Sequence, residues 1–299
     1  LKGTLLAHAD GLPQMHRNDG ARAEVALVEL ANDDAIDEFR TSFIRPFDLE
    51  GGTLYRLTVA RTPDATRLYY DFHHIVFDGT SLGILLRDVS AAYAGEALEP
   101  EAWSGFEVAQ EEAQRRQGPA YQRARDFYQK TFGGLEVESL PIPDALDAPG
   151  EGQRELVVPS GIDVKDLEAF AARNHTTANV VATAAFALAT GAYAGVDEAL
   201  FATIYNGRGD GRVARTISML VKTLPVHATW TADTTPEQLF ATLQQQLLAS
   251  MAYDLYSFAE VSAETGISSD LLFAYQGNTD LGDELCGSTL TSEPFALTT

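Results

Sequence analysis

Apolar positions recur every second residue in some segments and every three to four residues in others, which predicts both strands and helices. Strand patterns occupy residues 54–60 and 68–74, and the turn between them predicts an antiparallel pair. Because neighbouring strand positions face opposite sides, His74 is predicted to point inward and His73 outward. Helical patterns in this half of the chain occupy residues 33–43, 82–93, 106–117 and 119–131.

The second half of the chain repeats this mixture after a segment of different composition. Residues 136–153 carry three prolines, two glycines and a cluster of acids, which is typical of a linker. We therefore predict a first lobe at residues 1–140, a linker at 141–153 and a second lobe at 154–299. In the second lobe we predict strands at 154–158, 200–205, 221–229 and 271–276, and helices at 163–173, 177–193 and 234–252.

The net charge of the chain limits the classes of binding partner that are expected. The 299 residues include 43 acidic and 21 basic side chains, which gives a formal net charge of -22. This charge repels phosphate backbones and anionic membrane surfaces, so neither nucleic acid nor a membrane is an expected partner. The acidic runs at 99–101 and 110–112 are predicted to be solvated faces.

The remaining composition describes an ordinary soluble protein, with 45% hydrophobic residues and a mean hydropathy of -0.10. No apolar run is long enough to span a membrane, and the longest candidate, residues 180–194, predicts a buried helix. The single cysteine, Cys286, excludes an intrachain disulfide and a cysteine-based metal cluster. A reducing, cytoplasmic setting is the simplest expectation.

The residues that can carry chemistry concentrate where the second predicted strand meets the next helix. Residues 73–79 read HHIVFDG, so two histidines, an aspartate and a glycine lie at fixed offsets at a strand exit. An isolated inward histidine is usually a hydrogen-bonded core residue, but this spacing rarely arises by chance. A neutral imidazole can accept a proton from an attacking amine. The motif therefore indicates acyl transfer, with His74 as the candidate catalytic residue.

The stretch HHIVFDGTS resembles the HHxxxDG signature of condensation domains from nonribosomal peptide synthetases, within the chloramphenicol acetyltransferase superfamily. Other segments resemble the same family in order: PFDL and LYR (46–49 and 54–56), NGR (206–208), ISMLVKTLP (217–225), SFAE (257–260) and LFAYQ (272–276). In the SFAE segment, Ser257 replaces the proline of the family's PFE element. The resemblance implies an α+β, two-lobed chloramphenicol acetyltransferase-like fold in which each lobe is a mixed sheet packed by helices.

Both ends of the chain depart from the family pattern. Residues 1–4 resemble only the tail of the family's RHExLRTxF element, and family members usually continue beyond the point where this chain ends, at residue 299. No RDxSRNP element precedes residue 271 either. We therefore expect a fragment of a larger synthetase that lacks the first helix and the C-terminal part of the domain.

The resemblance assigns the catalytic position to His74, which acts as a base or as an orienting hydrogen-bond partner. For Asp78 we favour an ion pair that fixes the loop over membership of a catalytic triad. The resemblance implies Arg208 as the partner of Asp78 across the lobe interface. Gly79 lets the backbone approach the acyl group, supplies an N–H, or is simply a turn glycine. His73 is expected to pack and support the loop.

The function that the resemblance implies is peptide-bond formation between an upstream acyl or peptidyl thioester and a downstream aminoacyl amine. Substrates would arrive on the phosphopantetheine arms of upstream and downstream peptidyl carrier domains, beside an adenylation domain, with no tightly bound cofactor or metal. An epimerisation domain, a catalytically silent recruitment platform and a stand-alone ester-forming enzyme remain alternatives. Heterocyclisation is disfavoured because that branch replaces the two histidines with aspartate.

Overall fold

The structure is a computed structural model that describes residues 4–9, 12–17, 24–50, 52–137, 156–277 and 284–293. Its elements in chain order are β1 (Thr4–Ala9), β2 (Leu12–Arg17), β3 (Ala26–Glu29), α1 (Asp33–Phe43), β4 (Tyr55–Arg61), β5 (Thr66–Phe72), α2 (Gly79–Tyr93), α3 (Gly105–Arg116), α4 (Pro119–Phe132), α5 (Val164–Arg173), α6 (Ala178–Ala194), β6 (Glu198–Tyr205), a short 3-10 helix (Gly211–Val213), β7 (Lys222–Thr229), α7 (Pro236–Ala252), α8 (Phe258–Thr265), β8 (Leu272–Phe273), β9 (Glu284–Leu285) and β10 (Ser288–Thr289).

Contacts between residues divide the chain into two discontinuous units. The first unit takes its residues from 1–109, 208–220 and 281–298, and the second takes most of its residues from 110–207 and 221–280. This division differs from the predicted lobes, because residues 110–137 group with the second unit and residues 208–220 with the first. The predicted linker at 141–153 lies outside the described residues, so the lobe boundary there stays a prediction.

The sheet of the first unit is mixed and has the order β3-β4-β5. β3 runs parallel to β4, whereas β4 and β5 form the predicted antiparallel pair, with Arg56 opposite Asp71. The Asn32 side chain accepts a hydrogen bond from Ala35 N–H and so caps the N-terminus of α1. Ile36 and Phe43 are the buried α1 residues of one cluster, and their spacing of seven places them on the same face of the helix. The other buried residues of this cluster are Leu30, Ala60 and Tyr69.

A second cluster of the first unit underlies the strand-to-helix corner at residues 72–79. It contains Leu54, Val76 and Phe77, with Phe72 and Leu82 packed against them. The rings of Phe72 and Phe77 stack with centroids 3.8 Å apart. Because apolar side chains from both sides of the corner are buried together, the corner is part of the core of this unit.

The second unit also has a mixed sheet, with β6 between an antiparallel β7 and a parallel β8. Thr177 caps the N-terminus of α6, and Gly195 ends it in the left-handed region at φ 73°. Thr235 and Gln238 form a capping box at the start of α7. These two helices, β6 and β7 bury one cluster: Val180, Ala184, Ala187, Ala199, Phe201, Val226, Ala228, Leu239, Phe240, Leu243 and Leu247. Both sheets are therefore mixed and packed by helices, as the resemblance implied.

α8 lies in the second unit, and no helix was predicted from its apolar pattern. Ser257 and Glu260 form its capping box, and Gly266 ends it at φ 80°. Glu260 also pairs with Arg116 of α3 and accepts a hydrogen bond of 2.6 Å from the Tyr121 hydroxyl of α4. The helix is therefore fixed by its caps and by its charged partners.

Two predicted strands of the second lobe differ from the structure. The described part of the strand predicted at 154–158 has no strand geometry, and Leu156, Val157 and Val158 are 84%, 80% and 70% exposed. The strand predicted at 271–276 is limited to Leu272–Phe273. A strand forms only where a neighbour completes its hydrogen bonds, and β8 pairs with β6 at these two residues alone.

Among the helices that the structure describes, none is by itself long and apolar enough to cross a membrane. α5 and α6, which meet at a bend of 95°, meet the length and composition criteria only when they are counted together.

Candidate active site

The turn that follows β5 holds the two histidines. The His73 backbone N–H donates to the Leu54 carbonyl at 2.9 Å, and the Val76 N–H donates to the His73 carbonyl at 3.1 Å. The Ile75 N–H donates to Nδ1 of the His73 ring at 3.1 Å. An imidazole nitrogen that accepts a hydrogen bond carries no proton, so this contact requires an unprotonated Nδ1. His73 therefore contacts the turn through both its backbone and its ring.

The predicted orientation of the two histidines is wrong. His74 is exposed and His73 is half-buried, which is the reverse of the prediction. The strand ends at Phe72, so the period of two does not continue through the turn. The His74 ring makes no hydrogen bond or ion pair with any residue that the structure describes. Its imidazole is consequently accessible to other molecules.

Asp78 lies at the other end of the turn and caps the N-terminus of α2. Its side chain accepts hydrogen bonds from the backbone N–H and the hydroxyl of Ser81, both at 2.8 Å. The Leu220 backbone N–H donates to the same carboxylate at 3.0 Å. Asp78 is thus the N-cap of α2, and the helix begins at Gly79, three residues before the predicted pattern.

The carboxylate of Asp78 also forms a two-pronged ion pair with Arg208. The two guanidinium nitrogens lie 2.8 and 3.0 Å from the two carboxylate oxygens. The Asp78 side chain is 0% exposed and that of Arg208 is 4% exposed. Burial alone raises the pKa of Asp78, but the hydrogen bonds from Arg208, Leu220 and Ser81 outweigh it, so the pKa lies below its usual value. These contacts favour a structural Asp78 over a triad member. Contrary to the prediction of a pair across the lobe interface, both residues group with the first unit.

Residues 208–220 are joined to α2 and to the segment before α3 by further contacts. The Ser81 hydroxyl donates to the Ser218 carbonyl at 3.0 Å and accepts from the Ser218 N–H at 3.1 Å. The Thr216 hydroxyl donates to the Trp103 carbonyl, and the guanidinium of Arg212 lies 3.9 Å from the Trp103 ring centroid. Ser81, which is fully buried, is therefore one of the side chains that join α2 to this segment.

The acids of the run at 99–101 are exposed, as predicted, whereas Glu112 of the run at 110–112 is half-buried, and acids of both runs also have partners within the protein. Arg215 pairs with Asp88 of α2 at 2.8 Å and with Glu99 at 3.3 Å. Glu101 accepts a hydrogen bond from the Ile217 N–H at 3.3 Å. Within the second unit, Glu112 pairs with Lys222 at 2.7 Å. Acids that the sequence alone assigns to solvent thus help to fix segments far away in the chain.

Two glycines differ in what surrounds them. A Cβ at Gly79 would meet no atom within 4 Å, so the space beside the first residue of α2 is open. A Cβ at Gly105 would lie 2.3 Å from the Ser218 hydroxyl, so α3 and Ser218 approach too closely for any other residue. Gly105 therefore serves the packing of residues 208–220, whereas the local structure does not require a glycine at position 79.

The structure thus brings together His73, Asp78, Gly79 and Arg208 around one corner of the first unit and leaves His74 exposed beside them. Ser81 is not among the predicted site residues, although its offset of three from Asp78 is the spacing of a helix cap. Phe47, which contacts the ring of His73, and Arg56, which lies on the Phe47 ring, are not among the predicted site residues either. Among the residues that the structure describes, no group of three or more His, Cys, Asp or Glu side chains could hold a metal ion.

The fold and this corner define a member of a known domain family. A family model described as "Condensation domain" matches residues 4–277. The chain therefore belongs to the condensation domain family.

Curated relatives are long synthetases. Tyrocidine synthase 3 of Brevibacillus parabrevis is 26% identical over 267 residues, which cover 88% of this chain and 4% of that protein. Tyrocidine synthase 2 of the same organism is 28% identical over 249 residues, covering 80% and 7%. Bacitracin synthase 3 of Bacillus licheniformis is 25% identical over 274 residues, covering 87% and 4%. The chain spans less than a tenth of each of these relatives.

Solved structures share the fold at low sequence identity. The first condensation domain of the calcium-dependent antibiotic synthetase has a TM-score of 0.70 at 18% identity, covering 91% of this chain and 68% of that one. The starter condensation domain of rhizomide synthetase has a TM-score of 0.72 at 17% identity, covering 91% and 64%. The X-domain from teicoplanin biosynthesis has a TM-score of 0.68 at 19% identity, covering 90% and 63%.

Proposed function

We propose that the chain catalyses amide-bond formation between two carrier-bound substrates of a nonribosomal peptide synthetase. The donor is an acyl or peptidyl thioester, and the acceptor is the amine of an aminoacyl thioester. The observation that carries the proposal is the accessible His74 imidazole on a turn fixed at one end by His73 and at the other by Asp78. Membership of the condensation domain family supports it.

In the proposed reaction, the acceptor nitrogen attacks the donor carbonyl carbon, a C–N bond forms and the C–S bond breaks. His74 accepts the proton that the nitrogen loses, and this proton passes to the departing thiolate, so the products are an amide and a free thiol. Asp78 and Arg208 maintain the turn and do not exchange protons. The open space at Gly79 would admit the reacting group beside His74.

The partners in this proposal are two peptidyl carrier domains, whose phosphopantetheine arms deliver the substrates, and an adenylation domain that loads them. The synthetases among the curated relatives support such partners. No tightly bound cofactor takes part in the reaction as written. Binding and orientation of the two tethered substrates would supply much of the rate enhancement, because tethering replaces an encounter in solution.

The test is amide formation by the protein as encoded, with two loaded carrier domains and mass spectrometry of the product. His74→Ala is expected to lower turnover by about 100-fold or more, the usual contribution of a general base. His16→Ala, which changes an exposed histidine of β2, is the control and should retain activity. Wild-type turnover in His74→Ala would disprove the catalytic role.

An assay with a single loaded carrier domain in deuterated buffer distinguishes epimerisation from condensation. Exchange at the aminoacyl α-carbon without an acceptor would support epimerisation and count against condensation. The absence of such exchange, together with amide formation from two carriers, would support the proposal.

A recruitment platform is the second candidate, favoured by one observation. One structure with the same fold is a complex of the X-domain with OxyB from teicoplanin biosynthesis, at a TM-score of 0.68. If this chain were such a platform, wild type and His74→Ala would be equally inactive with two loaded carriers.

A further inference from the structure

The turn that carries His74 depends on two residues outside the HHxxxDG motif. Phe47 lies in the segment after α1, and its ring meets the ring of His73 edge-on, with centroids 5.8 Å apart and planes at 87°. Arg56 of β4 stacks on the same Phe47 ring, with its guanidinium carbon 3.8 Å from the ring centroid. Phe47 therefore contacts both the cation and the histidine that supports the turn.

Arg56 is fixed in turn by the sheet. It forms an ion pair with Asp71, which lies directly opposite on β5, and donates to the Pro46 carbonyl at 3.0 Å. The side chains of Arg56 and Asp71 are only 12% and 18% exposed. The bond to Pro46 holds the residue before Phe47, so one guanidinium positions both the backbone and the ring at this point. The planar guanidinium can stack and donate at the same time, which a lysine cannot do.

The ring of His73 must keep one orientation to make its hydrogen bond with Ile75. Its Nδ1 must point at the Ile75 N–H to accept the 3.1 Å hydrogen bond, and rotation of the ring would lose that bond. The edge contact with Phe47 limits such rotation. His74 lies between the two residues that this bond joins, so its Cα position depends on the orientation of its neighbour's ring.

We propose that Phe47 and Arg56 are positioning residues for His74, acting through the ring of His73. This inference rests on the proposed function only for the consequence that a displaced His74 slows the reaction. The structural part, that these two residues keep the turn closed, stands independently. It also gives a physical reason for the PFDL and LYR segments, which supply Phe47 and Arg56.

Amide hydrogen exchange tests the structural part, because the Ile75 and Val76 N–H groups are both bonded to His73. The test variants are Phe47→Leu, which removes the ring, and Arg56→Lys, which keeps the charge and removes the plane. Each is expected to speed exchange at Ile75 and Val76 by about tenfold, equal to about 1.4 kcal/mol in the local opening equilibrium.

The matched controls change the same residue types elsewhere in the first unit. Phe39→Leu removes a ring that contacts Phe43 and Tyr69. Arg67→Lys alters an arginine that donates to the Thr62 hydroxyl. Neither control should change exchange in the turn once each variant is compared at equal global stability. Equal turn exchange in test and control variants would overturn the inference.

Turnover by the protein as encoded, with loaded carrier domains, tests the consequence for His74. Phe47→Leu and Arg56→Lys are expected to lower kcat by about tenfold, with KM for both carriers unchanged, because a misplaced catalytic group affects the chemical step. Phe47→Tyr, which keeps the ring, should restore both kcat and slow exchange. A fall in kcat shared by the controls would contradict the positioning role. If the wild type forms no amide, the proposed function fails, while the exchange comparison still decides whether the two residues hold the turn.

Discussion

Asp78 accepts five hydrogen bonds from Ser81, Arg208 and Leu220, and its side chain has no exposed surface. The guanidinium of Arg208 balances the negative charge of this buried carboxylate. Removing either charge would strand the other in a medium that solvates it poorly. Asp78 and Arg208 therefore depend on each other for their burial.

Asp78→Ala is expected to lower the free energy of unfolding by about 3–5 kcal/mol, because the buried Arg208 charge loses its partner. Urea unfolding followed by circular dichroism measures the change. Asp210→Ala is the control, since Asp210 pairs with Arg212 where both side chains are nearly half exposed, and such pairs contribute about 1 kcal/mol or less. Similar losses in the two variants would contradict the structural assignment of Asp78.

Substitution of Gly79 is expected to affect stability differently from substitution of Asp78. Because a Cβ there meets nothing within 4 Å and the residue begins a helix, Gly79→Ala should fold with unchanged or slightly higher stability. If the open space admits the reacting group, amide formation should nevertheless fall. The comparison of melting temperature with turnover measures both effects. Full activity in this variant would show that Gly79 is simply the first residue of the helix.

At the scale of elements, α8 is attached by a charged centre at Glu260. Burial alone raises the pKa of Glu260, but hydrogen bonds from Arg116, Tyr121 and Ser257 lower it to about 2. The folded-state pKa therefore lies below the unfolded value, so the stabilisation is present above about pH 4.3 and is lost as the pH falls towards 2.

Glu260→Gln should accordingly remove about 2–3 kcal/mol at pH 6 and much less near pH 2. Unfolding free energies measured across this range provide the comparison. Glu168→Gln, at an exposed position on α5, is the control and should change stability little at any pH. A Glu260→Gln deficit that does not shrink with acidification would argue against the ion pair as its cause.

Elements with local signals were predicted well from the sequence. Residues 33–43 form α1 as predicted, because Asn32 caps the helix and the apolar spacing matches one face. The orientation of His74 was not predictable from the strand pattern, since the bond from Ile75 to His73 ends the strand two residues earlier than the pattern does. The contact of Ser81 with Ser218 joins residues 137 apart, and no local pattern contains it.

At the scale of the whole molecule, the formal charge of -22 is the dominant electrostatic property. Acids outnumber bases about twofold, so the folded chain repels itself at long range even though many individual acids have partners. Salt screens this repulsion over a Debye length that falls from about 30 Å at 0.01 M to about 8 Å at 0.15 M.

The melting temperature is therefore expected to rise by a few degrees between these two salt concentrations. Sodium and potassium chloride should act alike, because screening does not depend on the identity of the ion. Scanning calorimetry at fixed pH measures the shift. A lower melting temperature in the higher salt would show that attractive ion pairs outweigh the net repulsion.

The grouping of residues 208–220 with the first unit matters to anyone who recombines such domains into chimeras. A crossover point in the linker predicted at 141–153 would take the histidine motif from one parent and Arg208 from another. Asp78 would then meet a foreign segment in place of the one with which its hydrogen bonds are matched. Hybrid proteins should therefore inherit residues 73–81 and 208–220 from the same parent, whatever else is exchanged.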